Sequence, residues 1–120
     1  MKVTGQVIHG DREAGDHYGV PTANLLLETG PQWQTGIFAG RLSLNGAQWG
    51  AAICLRKIPT GFLCEVHVLG FTGDLYGQEI EVEILDRVSD LTPFKGEEQM
   101  RQKIRTDLEK VKYVLGNHST

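Results

Sequence analysis

Cysteine is nearly absent. Cys54 and Cys64 are the only two in 120 residues and form no CxxC pair, so the chain has neither a disulfide framework nor a thiolate metal site of familiar spacing. Two buried thiols fit the pair better than a disulfide, and both arrangements stay open from sequence. Long hydrophobic runs are missing as well: nothing approaches the ~20 apolar residues that span a bilayer, so no membrane partner is expected. The opening MKVTGQV alternates and then meets glycine, without the apolar segment and small-residue cleavage site of a signal peptide, and a cytoplasmic location is the expectation. Neither sign of charge dominates, with 12 Lys and Arg against 15 Asp and Glu. A formal charge of −3 gives no general attraction to nucleic acid. With four prolines, no repeat and no low-complexity tract, collagen, linker and solenoid readings fall away.

Glycine is what the chain has in quantity. Fifteen residues lie scattered between apolar stretches, about twice average usage, which suits many tight turns between strands. The length fits one domain, residues 1–120, with a core large enough to need no staple. The expectation is a mainly antiparallel β domain with one amphipathic helix at its C-terminal end. Residues 3–10, VTGQVIHG, read as a short strand. DREAGDHYGVPTAN reads as a loop, and Leu25 to Leu27 re-enter a sheet before the turn signal Gly30-Pro31. From Gly36, GIFAGRLSL puts Phe38, Leu42 and Leu44 on one side and Arg41 and Ser43 on the other. Asn45-Gly46 suits a type I′ hairpin turn, and the return strand runs Trp49 to Leu55. CEVHVLGF is another strand and GDLYG a turn. QEIEVEIL alternates with Ile80, Val82 and Ile84 inward, which makes Glu79, Glu81 and Glu83 a solvated face rather than a carboxylate cluster. Beyond Pro93 the period becomes helical over about 96–115. Met100, Ile104, Leu108, Val111 and Leu115 form one apolar stripe, Glu97 and Glu98 suit the N-terminus, Lys110 and Lys112 suit the end, and Gly116-Asn117 is the stop. Acidic and basic groups mix on its other face, which fits solvation better than RNA binding.

Two features carry candidate chemistry. In the loop, Gly10, Gly15 and Gly19 allow the backbone to fold closely around phosphate oxygens, and Pro21 fixes the chain before Thr22 and Asn24. In extended geometry those two oxygen-bearing side chains share a face and suit Mg²⁺ bound together with nucleotide phosphates, although ordinary turn chemistry also explains the pattern. The second feature is Glu65, a carboxylate in an otherwise apolar strand. It is either a functional base or a residue exposed on an edge or on a polar face shared with His67. Cys64 and His67, three apart on a strand, should point to opposite faces and so do not form a zinc pair. No Ser or Cys sits in a strand-to-helix elbow, so no nucleophilic triad is expected.

GQVIHG at 5–10, GVPTANLLLE at 19–28, GIFAG at 36–40, IPTG at 58–61, EVHVLGFTGDLYGQEIEVEIL at 65–85 and Phe94 with the following helix are collinear. Together they resemble the ATP-dependent riboflavin kinase family, which also forms the C-terminal part of bacterial bifunctional FAD synthetases. The resemblance implies a six-stranded antiparallel Greek-key β-barrel with a packed helix, and transfer of the terminal phosphoryl group of ATP to the 5′-hydroxyl of riboflavin, giving FMN and ADP. It further implies that Thr22 and Asn24 ligate Mg²⁺ and the phosphates, that the glycine loop covers the nucleotide, and that Glu65 accepts the hydroxyl proton. ATP and riboflavin are then the small-molecule partners of a monomer. Several positions depart from the family pattern. Asp16 follows Gly15 where an arginine is usual, with Arg12 as a compensating cation. Cys54, Leu55 and Arg56 replace a small polar residue and glycine, and the connection from Thr60 to Glu65 is short. Ser89 and Leu91 stand where Arg and Glu are common before Phe94, with Arg87 as the compensating residue. A non-catalytic flavin- or nucleotide-binding module is the alternative, and a structural interaction domain the third. With no adenylyltransferase region in these 120 residues, synthesis of FAD from FMN is not expected.

Overall fold

The computed structural model describes residues 1–8, 22–27, 35–71, 73–91 and 96–118. Six strands and one helix follow in order: β1 (Lys2–Gln6), β2 (Thr22–Leu27), β3 (Gly36–Leu44), β4 (Ala47–Ile58), β5 (Gly61–Val68), β6 (Glu79–Ser89) and α1 (Glu97–His118). All neighbours are antiparallel, in the order β1-β6-β3-β4-β5-β2. Strands β3, β4 and β5 run as successive hairpins and β6 returns beside β3, which is a Greek key. The sheet curls until its edges meet. The Ile8 N–H, just beyond β1, donates to the Asn24 carbonyl of β2 at 2.9 Å, leaving a nearly closed barrel with little edge to pair with another chain.

Alternation builds the barrel interior. Leu25, Leu42, Ile53, Val66, Ile80 and Val82 are fully buried and pack into one cluster, with Phe38 and Leu44 against it. On β6 the intervening Glu81 and Glu83 face outward and meet Lys2 at 3.8 Å and Arg41 at 3.7 Å, the solvated face that the alternation predicts. At the β3–β4 turn Asn45 and Gly46 have φ of 51° and 82°, the left-handed pair of a type I′ hairpin.

A second, smaller core lies outside the barrel. Ala39 and Ala52 bury against Val111 of α1, with Leu108, Val114 and Leu115 beside them. Small residues let the helix come close: a Cβ on Gly50 would stand 2.6 Å from Leu115 Cδ1. The helix therefore converts part of the outer sheet face into interior.

The element bounds differ from the sequence expectation in six places. β1 is Lys2–Gln6 rather than 3–10, and β6 runs Glu79–Ser89, beyond the 78–85 segment that alternates. β2 begins at Thr22 rather than Leu25, because Thr22, Ala23 and Asn24 pair with His67, Val66 and Glu65, and ladder bonds outweigh the local turn preference of PTAN. β4 extends past Trp49 and Leu55 at both ends. β5 starts at Gly61 and ends at Val68, since only Pro59 and Thr60 are needed to turn the chain back. The helix passes through Gly116 to His118, and Gly116 is not among the left-handed glycines.

Candidate functional site

The site is built on β5, which lies inside the sheet between β4 and β2. Cys64 and Val66 face the barrel core, so the period of two turns Glu65 and His67 to the outer face. In register across three strands stand Asn24 of β2, Glu65 of β5 and Cys54 of β4. One step along, Thr22 stands in register with His67 and Ala52. Thr22 and Asn24 lie two positions apart on β2, paired with His67 and Glu65 of β5.

Glu65 is 7% exposed. A carboxylate removed from water this far is costly unless a partner meets it. Arg56 supplies the partner. Two positions along β4 from Cys54 and on the same face, it brings Nη2 to 2.6 Å from Glu65 Oε1 and 3.8 Å from Cys54 Sγ, while its own side chain stays half exposed. Edge exposure of Glu65 is therefore overturned: the residue lies on an interior strand and is buried. It does share its face with His67.

Asn24 is 5% exposed, and its Oδ1 accepts no hydrogen bond among the described residues. A buried amide oxygen left this way costs about 1–3 kcal/mol, so it marks a place made for a ligand atom as readily as a fault in packing. An uncharged oxygen beside a carboxylate suits a hard cation such as Mg²⁺. Among the described residues no three His, Cys, Asp or Glu side chains gather to hold a metal. A hard cation here would rest on neutral oxygens such as Asn24 Oδ1 rather than on a cage of carboxylates.

His67 is partly buried, and its Nδ1, shut off from solvent, has no partner among the described residues. Burial, with a smaller contribution from the Arg56 charge, lowers its pKa from 6.5 to about 4, so the imidazole is neutral near pH 7. It borders a small cavity of about 40 Å³ between the outer sheet face and α1, lined also by Ile37, Ala52, Cys54, Ile104 and Leu108. The two thiols are free and buried. Burial pushes the Cys54 pKa up and that of Cys64 to about 12, which keeps both protonated and poor nucleophiles. Cys64 faces the core and His67 the outside, so the pair does not converge.

Arg87 is held elsewhere than the Asn24–Glu65 row: Nε donates to the Thr35 carbonyl at 3.1 Å, and Nη2 meets Asp90 Oδ1 at 2.6 Å. Gly10, Arg12, Gly15, Asp16, Gly19, Pro21 and Phe94 lie outside the described residues. Arg56 is the member that sequence reading passed over. It entered only as a departure from a family pattern, because nothing local shows that β4 pairs in a register that delivers its guanidinium to Glu65.

The family model for flavokinase, riboflavin kinase, matches residues 1–115. The chain belongs to the riboflavin kinase family. A bifunctional riboflavin kinase/FMN adenylyltransferase from Haemophilus influenzae is 31% identical over 116 residues, covering 92% of this chain and 37% of that protein. Among solved structures, a macrolide-efflux protein from Streptococcus pneumoniae superposes with a TM-score of 0.81 at 28% identity, over 92% of this chain and 38% of the other. Riboflavin kinase from Trypanosoma brucei gives 0.72 at 18% identity, over 96% of this chain and 79% of that one, and shares the fold. The chain thus spans little more than a third of the bifunctional relative. Within this riboflavin kinase fold, the pairing of β2 with β5 is what sets two motifs with 40 residues between them, PTAN and EVH, side by side.

Proposed function

We propose that this domain transfers the terminal phosphoryl group of ATP to the ribityl 5′-hydroxyl of riboflavin, releasing FMN and ADP. The observation that carries the reading is the facing pair Asn24 and Glu65, both buried, in a chain matched along almost its whole length by the riboflavin kinase family. Phosphoryl transfer asks mainly for in-line positioning and charge stabilisation, with one group to manage the attacking hydroxyl. Glu65 accepts the hydroxyl proton and orients the oxygen. Asn24 Oδ1, with Thr22 two residues earlier, holds the phosphate side, and these are the residues that would ligate Mg²⁺. When bound, Mg²⁺ supplies charge neutralisation across the phosphate oxygens. Gly10, Gly15, Gly19 and Pro21 would lie along the nucleotide.

The test is incubation of the purified chain with riboflavin, Mg²⁺ and ATP, followed by chromatographic resolution of the products. FMN and ADP in equal amounts are expected. Binding of flavin or nucleotide without turnover, across nucleotides and divalent metals, would replace the kinase with a binding module.

A further inference from the structure

We propose that Arg56 is a further catalytic residue, contacting the terminal phosphoryl oxygens of the nucleotide while it keeps hold of Glu65. The inference rests on the phosphotransfer reading above. Its starting point is geometric. An attacking hydroxyl managed by Glu65 sits within hydrogen-bond reach of that carboxylate, and the phosphorus lies about 3–3.5 Å from the hydroxyl oxygen in a near-attack arrangement. Arg56 Nη2 is 2.6 Å from the same carboxylate. The non-bridging phosphoryl oxygens therefore come within reach of the same guanidinium, whose side chain is half exposed.

Chemistry favours arginine for the task. A guanidinium carries five N–H donors in a planar fork and can serve a carboxylate and a phosphoryl group together. In the transfer, the 5′-oxygen to phosphorus bond forms, the phosphorus bond to the ADP oxygen breaks, and its electron pair leaves with ADP. The hydroxyl proton passes to Glu65. As Glu65 gains that proton it loses the charge that Arg56 faces at rest, and the arginine's positive charge becomes available to the phosphoryl oxygens. The ion pair of the resting site thus places a cation beside the reacting groups without leaving a buried charge unmatched beforehand.

The experiment compares wild type with Arg56→Gln and Arg56→Lys by calorimetric binding of Mg-ATP and Mg-ADP, single-turnover FMN formation and thermal unfolding, with added guanidinium as a rescue arm. Because ADP lacks the contacted group, Arg56→Gln should weaken ATP about tenfold and ADP less than threefold, and should slow single turnover by roughly 10- to 10³-fold, below the larger factors of arginine fingers. Arg56→Lys should recover part of the loss and hold the unfolding temperature, and guanidinium should restore part of the rate in Arg56→Gln, whose unfolding temperature should fall because the buried Glu65 loses its partner. An unchanged ATP-to-ADP affinity ratio in both folded variants would overturn the proposal even if the rate fell, since Arg56 would then only position Glu65. If Arg56→Gln fails to fold, the same ratio in Arg56→Lys decides: a selective loss of ATP supports the contact and an unchanged ratio overturns it. Wild type that forms no FMN yet loses ATP preference on substitution would remove the riboflavin reaction and keep the phosphate contact. Wild type that binds neither nucleotide would remove both.

Discussion

Replacing Glu65 by glutamine separates chemistry from folding more cleanly than any other change in this domain. The substitution keeps length and hydrogen-bonding capacity and removes the proton acceptor. If the carboxylate is the base, turnover falls by roughly 10²- to 10⁴-fold, about 3–5 kcal/mol of barrier, with the lower end expected because a loose phosphoryl-transfer transition state needs little early deprotonation. The stability cost follows from the partner. Glu65 is 7% exposed, but Arg56 is 49% exposed at its side chain, so breaking the 2.6 Å pair leaves a cation that water can reach. That keeps the loss near 1 kcal/mol rather than the ~3–5 kcal/mol of a pair whose surviving charge is sealed in. For a domain of this size such a loss lowers the unfolding temperature by roughly 3–6 °C. The assay is single-turnover FMN formation at saturating riboflavin and Mg-ATP, with thermal unfolding and flavin binding of the same protein. A rate near wild type in the folded, ligand-saturated variant would refute the assignment of base. A fall of 15 °C or more would refute the argument from Arg56 exposure and make the pair a structural one.

Three further outcomes are expected. Asn24→Leu, which removes the unpartnered Oδ1, should leave the unfolding temperature within a few degrees while Mg-ATP-dependent turnover drops at least tenfold; equal turnover in the folded variant would end the phosphate-side role. For His67, the folded pKa of about 4 lies below the ordinary 6.5, so the unfolded chain takes the proton first. Its contribution is complete above pH 6.5 and is lost as pH falls towards 4, in total roughly 3 kcal/mol. Urea midpoints at pH 7 and 4.5 should therefore differ less in His67→Gln than in wild type, and equal differences would contradict the burial argument. Gly40→Ala should destabilise by about 1–3 kcal/mol and more than Gly50→Ala, because the new methyl at 40 would run into the Glu83 backbone carbonyl and Ile53, whereas at 50 it meets the movable end of Leu115. Urea unfolding gives the order, and its reversal would refute it.

Alternation made the barrel strands legible. Ile80, Val82 and Ile84 against Glu79, Glu81 and Glu83 fix a face without any knowledge of neighbours, and Asn45-Gly46 fixes a turn by torsion alone. The stripe from Met100 to Leu115 likewise needs only its own spacing. What stayed hidden depends on pairing partners. Thr22 to Asn24 read as loop because their strand exists only through β5. Glu65 admitted two readings because its surroundings are set by β2 on one side and by Arg56 of β4 on the other, pairings that no local signal shows. Arg56 itself carries no periodic or motif signal, and its part follows from register alone.

Asn24 holds two positions at once. Its carbonyl takes the hydrogen bond from Ile8 that brings the barrel edges together, while its side chain stands opposite Glu65. The chemistry is in this sense downstream of β2: a chain with β3 to β6 assembled but β2 not yet paired with β5 would have no aligned oxygen opposite the carboxylate. During refolding of a Trp33→Phe variant from urea, recovery of turnover should then lag the fluorescence of the remaining Trp49, which reports the β3–β4 hairpin, and catalysis becomes a stopwatch on the docking of β2.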